Sequence, residues 1–279
     1  MLKTIAVRWV KPVLSDGAWQ RLRRLGDQAT DVVDERKRQR RLAAMSLTEL
    51  GREFGTDKVG LHHYTQHYER HLRHLRDESF TLLEIGIGGY EKQLKGGHSL
   101  RMWKQFFPRA QIVGLDIHDK SFAQEDRIRT YQGSQVDPAV LDRIVKDAHD
   151  LRVVIDDGSH ECEHVRETFR LLFPRLPDGA IYCIEDTQTS YWPERGGSAD
   201  LDAKTTSMAL VKELVDGLNY EEFIDDDYEP TYTDLNVVAV HCYHNLVVIE
   251  KGTNVEGTNR VNVRRRYELR KQRGRVAPV

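Results

Sequence analysis

Short apolar runs alternate with helix-length segments through the centre of the chain, a pattern typical of a buried parallel sheet. The strands predicted from these runs are 80–85, 111–116, 128–131, 153–155 and 180–184. Two further runs, 235–242 and 246–250, are separated by three residues and predict an antiparallel hairpin. This order predicts an α/β fold, a doubly wound, Rossmann-like sheet that ends in an antiparallel hairpin.

Helical segments fill the gaps between these runs, and a charged helical stretch precedes them. The predicted helices span about 17–50, 62–75, 100–107, 162–173 and 208–218, and one more begins near 137. Ser99 stands in the N-cap position of the helix predicted at 100. Asp137 followed by Pro138 is typical of a helix start.

Charge divides the chain into an acidic body and two basic ends. Residues 1–45 carry 11 Lys and Arg against 5 Asp and Glu, and 251–279 carry 9 against 2. Because the whole chain has a net charge of −2, the stretch between them carries −15. An acidic body argues against a protein built to bind polyanions, so solvated basic ends are favoured over nucleic-acid binding. We predict an accessory helical arm over 1–50, a main domain over 51–252 and a basic tail over 253–279.

Cysteine usage and hydropathy indicate an intracellular protein. The three cysteines share no C-x-x-C spacing, which favours reduced thiols over a disulfide framework or a zinc knuckle. The opening segment has too short an apolar run for a signal peptide, and no run approaches membrane-spanning length. We therefore expect a soluble, cytoplasmic protein without a membrane partner.

Two pairs of acids mark the predicted strand ends. Asp156 and Asp157 follow one apolar run, and Glu185 and Asp186 follow the next, with His160 three residues beyond the first pair. Ligands collect at the carboxyl ends of parallel strands, and buried carboxylates need a compensating cation or donors. Asp157, Glu185 and Asp186 offer the oxygen ligands that Mg²⁺ prefers, and histidine is a common general base.

A glycine-rich turn after the first strand predicts a nucleotide-like ligand. Gly86 lets the backbone approach such a ligand, and Asp116 ends the next strand, where an acid commonly binds ribose hydroxyls. Glu84 would repel the pyrophosphate of NAD but can accept hydrogen bonds from an ammonium group. This difference favours S-adenosylmethionine (SAM) over NAD. A glycine-rich turn with no ligand is the remaining alternative.

Three other interpretations of these stretches stay open. The acids at the strand ends can act as helix N-caps, although capping explains one acid at each end and not two. The pattern from His160 to His164 matches H-E-x-x-H, a zinc-protease signature that requires both histidines inside one helix. Tyr191 and Trp192 can form an aromatic wall for a sugar substrate, or can be packed loop residues.

With these residues in view, the chain resembles the metal- and SAM-dependent O-methyltransferases that methylate deoxysugars in macrolide tailoring, the mycinamicin and macrocin enzymes. The resemblance covers roughly residues 54–250. It rests on the motifs FGTDK, HHYTQHYE, LLEIGIGG, GGHSLRMWKQFFPRAQIVGLDI, VVIDDGSH and IEDTQTSYWP.

The resemblance implies Mg²⁺ on Asp157, Glu185 and Asp186, with His160 as the general base and a homo-oligomer, a dimer or tetramer, as the assembly. The residues it assigns to SAM are Glu84, Gly86, Asp116, Asp156, Thr56 and Tyr64. We add Ser99 and Gln135 to the predicted cofactor-binding set. The expected substrate is a small-molecule glycoside, with Tyr191 and Trp192 beside it.

The predicted reaction is transfer of the SAM methyl group to a sugar hydroxyl of a natural-product glycoside. Coordination to Mg²⁺ lowers the pKa of such a hydroxyl, and His160 accepts its proton. Two alternatives remain. One is a cephalosporin-hydroxylase-like relative of the same fold, and the other is a non-catalytic module that binds SAM or RNA.

Overall fold

The computed structural model describes residues 16–92, 94–225 and 227–258. The chain divides into two compact units, Met1–Ser46 and Leu47–Val279. The first unit contains helix α1 (Asp16–Ala43), and the second contains all the other described helices and strands. The predicted arm boundary at residue 50 lies inside a helix of the second unit. The basic tail predicted beyond residue 258 lies outside the described residues.

Seven helices and seven strands make up the described part of the second unit. The helices are α2 (Leu47–Phe54), α3 (Thr65–Leu72), α4 (His98–Phe106), α5 (Pro138–Asp147), α6 (Cys162–Leu172), α7 (Ser207–Gly217) and α8 (Tyr232–Asn236). The strands are β1 (Thr81–Ile85), β2 (Gln111–Asp116), β3 (Ile128–Gln132), β4 (Leu151–Asp156), β5 (Ile181–Glu185), β6 (Val237–Tyr243) and β7 (Leu246–Lys251). Short 3₁₀ segments include Thr187–Tyr191 and Pro193–Arg195.

The strands form one mixed sheet in the order β3-β2-β1-β4-β5-β7-β6. Strands β1 to β5 pair in parallel, whereas β7 pairs antiparallel with both β5 and β6. The predicted doubly wound sheet with a terminal hairpin is therefore confirmed. Strand order reverses between β1 and β4, so their carboxyl ends flank the crevice in which such sheets bind ligands.

Burial explains why these strands appear in the sequence as continuous apolar runs. Every residue of β1 and of β5 is buried, as expected for strands covered by helices on both faces. Burying an aliphatic side chain contributes about 1.5–3 kcal/mol, so these apolar runs favour the sheet interior strongly. Because these runs are buried in the sheet, the acids that follow them lie at the carboxyl ends of the strands.

Three local predictions differ from the structure. The helix predicted over 17–50 is two helices, α1 and α2, with a break at 44–46. Ser99 is not an N-cap: α4 begins at His98, and Gly97 takes the cap position with a left-handed φ of 75°. The terminal hairpin starts at Val237 and not at 235, because Thr231 and Asp234 form a capping box that holds α8. Asp137 does cap α5, since its side chain accepts a hydrogen bond from the Ala139 amide.

Within the described residues, the helices are all too short or too polar to cross a membrane.

Candidate functional site

The site lies where β1, β4 and β5 end side by side. Asp157 directly follows β4, and Glu185 ends β5, which pairs with β4 in parallel register. The backbone of the turn after β1 packs tightly against the backbone that follows β4. Gly86 has φ of 86°, and a Cβ there would collide with the carbonyl oxygen of Asp157. The glycine is therefore required by close backbone approach.

Asp116 organises the same turn from the end of β2. Its Oδ2 accepts a hydrogen bond from the Ile87 amide at 3.0 Å, and its Oδ1 accepts one from the His118 amide at 2.8 Å. Asp116 is thus fixed beside the β1 turn, in the position predicted for a cofactor contact.

A buried lysine lies between the carboxylates. The Nζ of Lys58 lies 2.6 Å from Asp157 Oδ2, 2.7 Å from Glu185 Oε1 and 3.1 Å from Glu84 Oε1. Its side chain is 1% exposed. Lys58 reaches this position from the loop between α2 and α3, so it brings a positive charge to the strand ends from a distant part of the sequence.

The charges around Lys58 influence one another's pKa values. Burial lowers the pKa of Lys58, but Asp157, Glu185 and Glu84 outweigh it and raise that pKa well above its ordinary value. Burial raises the pKa of both Asp157 and Glu185, against the opposing effect of Lys58. One ammonium therefore does not neutralise the set, and further positive charge would stabilise the ionised carboxylates.

A second group of possible metal ligands lies on the solvent side of the same acids. Asp157, His160 and Asp186 each place one ligand atom within 4.8 Å of the others. The Nε2 of His160 lies 3.8 Å from Asp157 Oδ1 and 3.6 Å from Asp186 Oδ2. Asp157 thus faces Lys58 with one oxygen and His160 with the other. Glu185 belongs to the inner group, with Glu84 and Asp157.

Two of these residues adopt strained backbone conformations. His160 and Asp186 have φ of 58° and 53°, in the left-handed region that non-glycine residues seldom occupy. Each such residue costs on the order of 1 kcal/mol and persists only where surrounding contacts hold it. Both residues lie at the site, which is where backbone strain concentrates in proteins.

Tyr64, just before α3, and Tyr68, within it, donate hydrogen bonds to two of the acids. Tyr64 donates a hydrogen bond to Asp186 Oδ1 at 2.7 Å, and Tyr68 donates one to Glu185 Oε1 at 2.6 Å. Burial raises the pKa of Asp186, but the Tyr64 hydrogen bond and the neighbouring His160 and His62 hold it below its ordinary value. Asp186 is therefore ionised and oriented.

The competing interpretations of these acids fail on geometry. Asp156 and Asp157 do not cap α6, because that helix begins at Cys162 and Glu161 takes the N-cap position. Asp186 precedes the 3₁₀ segment but makes no side-chain capping hydrogen bond. Since α6 begins at Cys162, His160 lies outside the helix and the H-E-x-x-H pattern has no zincin geometry. His164 instead contacts the Ser159 hydroxyl through Nδ1 at 2.9 Å.

Asp156 and Gln135 are buried residues joined by a hydrogen bond. Gln135 donates to Asp156 Oδ1 at 3.1 Å, and Tyr182 donates to Asp156 Oδ2 at 3.2 Å. Burial raises the pKa of Asp156 to about 7. Gln135 also accepts from the Ser159 amide at 2.7 Å, and so tethers the loop that carries His160. Their roles as cofactor contacts stay predictions.

Glu84 is the least satisfied of the buried acids. It is completely buried, and its Oε1 lies 3.1 Å from Lys58 Nζ. Beyond this ion pair, neither carboxylate oxygen accepts a hydrogen bond of regular geometry. Burial raises its pKa, against the opposing effects of Lys58 and the Ser99 hydroxyl. Thr56 is also buried and accepts a 3.4 Å hydrogen bond from the Lys58 amide. The roles of Glu84, Ser99 and Thr56 as cofactor contacts stay predictions.

Tyr191 and Trp192, the predicted aromatic wall, follow the site closely in sequence, and their role beside the substrate stays a prediction. Tyr191 ends the 3₁₀ segment that starts just after Asp186, and Trp192 follows it. Their side chains are 49% and 45% exposed, so they are not packed core residues.

Two residues of the site, Lys58 and Tyr68, were absent from the set predicted from the sequence. Lys58 lies in the FGTDK motif that carried the resemblance, two residues after the predicted Thr56. Tyr68 lies one helical turn after Tyr64, on the same face of α3. Membership of that motif is the only signal for Lys58, whereas helical spacing from Tyr64 is the signal for Tyr68.

No family model matches the chain. Two curated relatives are each 50% identical to it. The mycinamicin VI 2''-O-methyltransferase of Micromonospora griseorubida matches over 214 residues, which is 76% of this chain and 54% of the relative. The demethylmacrocin O-methyltransferase of Streptomyces fradiae matches over 218 residues, 77% of this chain and 55% of the relative. The chain is a relative of these sugar O-methyltransferases. The resemblance predicted from the sequence is confirmed.

A solved structure gives the same result for the fold. MycE, a methyltransferase from the mycinamycin biosynthetic pathway crystallised with Mg and SAH, has a TM-score of 0.75 and 47% identity to this chain. The match covers 82% of this chain and 60% of MycE. The chain therefore has the fold of a SAM-dependent methyltransferase, as predicted. It spans about half the length of the curated relatives it matches.

Proposed function

We propose that this chain is a SAM-dependent, Mg²⁺-assisted O-methyltransferase that methylates a sugar hydroxyl of a natural-product glycoside in antibiotic biosynthesis. The observation that carries the proposal is the convergence of Asp157, His160 and Asp186 just beyond the carboxyl ends of β4 and β5. Another crystal structure of MycE contains Mg, SAH and mycinamycin VI, and its aligned sequence is 45% identical to this chain. That combination supports the same ligand classes here.

The donor set fits a hard divalent cation. Asp157, Glu185 and Asp186 supply carboxylate oxygens, and Lys58 leaves their combined negative charge only partly compensated. We propose that these three residues hold Mg²⁺. A bound Mg²⁺ lowers the pKa of a coordinated hydroxyl and fixes its orientation.

His160 is the proposed general base. Its Nε2 lies 3.8 Å from Asp157 Oδ1 and 3.6 Å from Asp186 Oδ2, which places the ring beside two of the proposed Mg²⁺ ligands and so beside a hydroxyl bound there. The left-handed backbone of His160 and the tether from Gln135 to the Ser159 amide hold the ring in place. Proton transfer by a positioned side chain contributes about 10²- to 10⁴-fold to a rate.

SAM is the proposed methyl donor. Its ammonium group would donate hydrogen bonds to the Glu84 carboxylate, which has only the Lys58 ion pair, and its adenosine would lie against the Gly86 turn and Asp116. A cationic, phosphate-free ligand fits a pocket with this many carboxylates better than NAD does. The remaining proposed SAM-binding residues are Thr56, Tyr64, Ser99, Gln135 and Asp156.

The proposed sugar substrate lies on the exposed side of the acids, next to Tyr191 and Trp192. Aromatic faces pack against the apolar faces of deoxysugars, and both rings are half exposed at this edge. The tetracenomycin 2'-O-methyltransferase of Streptomyces olivaceus, 44% identical over 209 residues, supports a glycoside substrate class that extends beyond macrolides.

Two parts of the proposal concern the whole protein. We propose that it acts in the cytoplasm, which rests on the reduced-thiol composition, and that it assembles as a homo-oligomer, which rests on the resemblance. Analytical ultracentrifugation of the full chain tests the second part, and a monomer at every concentration would contradict it.

Calorimetric titration of SAM with and without Mg²⁺ tests the proposal at the level of binding. We expect one SAM site per chain, and we expect Glu84→Gln to weaken SAM binding while Glu163→Gln on α6 leaves it unchanged. A chain that is folded but binds no SAM would contradict the proposal. Salt-dependent retention of RNA without SAM binding would favour the non-catalytic RNA-binding alternative.

A further inference from the structure

A cluster of metal-ligating side chains lies outside the strand-end site, on the terminal hairpin. It consists of His71 from α3, His241 from β6 and Glu250 from β7. Each offers one ligand atom, and these atoms lie within 4.8 Å of one another. Nε2 of His241 lies 2.8 Å from Glu250 Oε1, and Nδ1 of His71 lies 3.7 Å from the same oxygen.

The hairpin register creates this juxtaposition. Glu250 pairs with Ala239, so His241 is its diagonal neighbour on the same face of the sheet. Side chains alternate along a strand, so Tyr243 also points to this face. Helix α3 packs on it and brings His71 within 4.4 Å, ring centre to ring centre, of His241. Three separate elements thus meet at one point.

A second layer of contacts orients His71. Its Nε2 lies 2.8 Å from the Tyr243 hydroxyl, and the Tyr243 ring stacks on His67 at 3.8 Å between ring centres. When His71 donates its Nε2 proton to Tyr243, its Nδ1 lone pair faces His241 and Glu250. Metal-ligating histidines are almost always oriented by a hydrogen bond of this kind on the other ring nitrogen.

We propose that His71, His241 and Glu250 form a Zn²⁺ site. Two imidazoles and one carboxylate are a common zinc ligand set, with water in the fourth position. Ligands held at about 2.1 Å from one Zn²⁺ lie about 3.4 Å apart, close to the 3.7 Å between His71 and Glu250. His71 is 8% exposed, whereas His241 and Glu250 are 37% and 38% exposed, which leaves the fourth position open to solvent.

Ligand chemistry separates this site from the strand-end acids. Imidazole nitrogens suit Zn²⁺, while a set of carboxylates suits Mg²⁺. The Zn²⁺ would connect α3 to the hairpin, and α3 also carries Tyr68, which contacts Glu185. Bound Zn²⁺ therefore stabilises the chain and fixes the helix that supports the strand-end acids.

The test is calorimetric titration of Zn²⁺ into the full chain, stripped of metal and then saturated with Mg²⁺ so that the carboxylate site is occupied. We expect one Zn²⁺ per chain at this site, with affinity reduced at least tenfold in both His241→Ala and Glu250→Gln. His244→Ala, an exposed histidine in the turn of the same hairpin, is the matched control and should bind as the parent does.

A second measurement keeps the proposal open to refutation if a variant loses stability. Zn²⁺ should raise the Tm of the parent and of His244→Ala, but not of His241→Ala. His71 is nearly buried, so His71→Ala also perturbs packing. The test therefore rests on His241→Ala and Glu250→Gln, whose side chains are more exposed. Absence of Zn²⁺ binding by the parent, or equal binding by His241→Ala, would show that the three side chains form only a hydrogen-bonded cluster.

Discussion

Lys58 Nζ lies 2.6 Å from Asp157 Oδ2, and this ion pair joins the loop before α3 to the end of β4. The same ammonium contacts Glu185 at 2.7 Å. The Lys58 ammonium therefore holds together Asp157 and Glu185, two of the three proposed Mg²⁺ ligands. The opposite oxygen of Asp157 is directed towards His160, so one carboxylate connects the inner charge cluster with the proposed base.

Lys58→Met should destabilise the protein. Removing one partner of a buried charge cluster leaves uncompensated carboxylates, which costs about 3 kcal/mol. Chemical unfolding in EDTA should show this loss in the free energy of unfolding, and added Mg²⁺ should restore part of it by replacing the missing positive charge. Lys92→Met, at an exposed lysine, is the control and should change stability by less than about 0.5 kcal/mol.

His160→Ala should reduce kcat by about 10²- to 10⁴-fold with SAM and Mg²⁺ saturating. SAM affinity should stay at the parent value, because His160 faces the acids and not the Glu84 pocket. His164→Ala is the matched control, since this second histidine of the H-E-x-x-H pattern lies in α6. Parent-level turnover by His160→Ala would remove His160 from the role of base.

Tyr68→Phe should weaken Mg²⁺ binding by about tenfold or more. Tyr68 donates a 2.6 Å hydrogen bond to Glu185 Oε1, and loss of a partner that orients a ligand typically costs 10- to 100-fold in metal affinity or activity. The measurement is the Mg²⁺ concentration dependence of turnover. Tyr131→Phe is the control, because that hydroxyl contacts Asp147 away from the site. Equal Mg²⁺ dependence in both variants would exclude the orienting role.

Trp192→Ala should raise KM for the glycoside about tenfold and leave the Kd for SAM unchanged, since aromatic packing contributes about 0.5–1.5 kcal/mol. Steady-state kinetics with the glycoside varied measures the first quantity, and calorimetry measures the second. Leu201→Ala, at another exposed apolar side chain, serves as the control. An unchanged KM would place the sugar elsewhere.

Much of the fold was predictable because its signals are local. Short buried strands read as continuous apolar runs, and β1 and β5 appear where those runs predicted them. The helix start at Cys162 was predictable in the same way, and it excluded zincin geometry. The cap at α4 was missed because the chain places the left-handed Gly97 there and buries Ser99 inside the helix.

The inner part of the site was not predictable from local pattern. Lys58 lies in a polar, glycine-containing loop, where a lysine is ordinarily exposed. Its partner Asp157 is 99 residues away, and Glu185 is 127 residues away. Tertiary contacts bring these charges together: Tyr64 and Tyr68 hydrogen-bond Asp186 and Glu185, which holds the segment after Lys58 at the strand ends. A lysine expected at the surface is therefore the central cation of the cluster.

The most direct test of the central claim is a methyl-transfer assay on the full chain with SAM, Mg²⁺ and a panel of deoxysugar-bearing macrolide and aromatic polyketide glycosides. Mass spectrometry should detect one added methyl group on a sugar and an equal amount of S-adenosylhomocysteine. EDTA should abolish this product and Mg²⁺ should restore it. Turnover that is unaffected by exhaustive EDTA treatment, or no methylated glycoside from a folded, SAM-binding chain, would contradict the account.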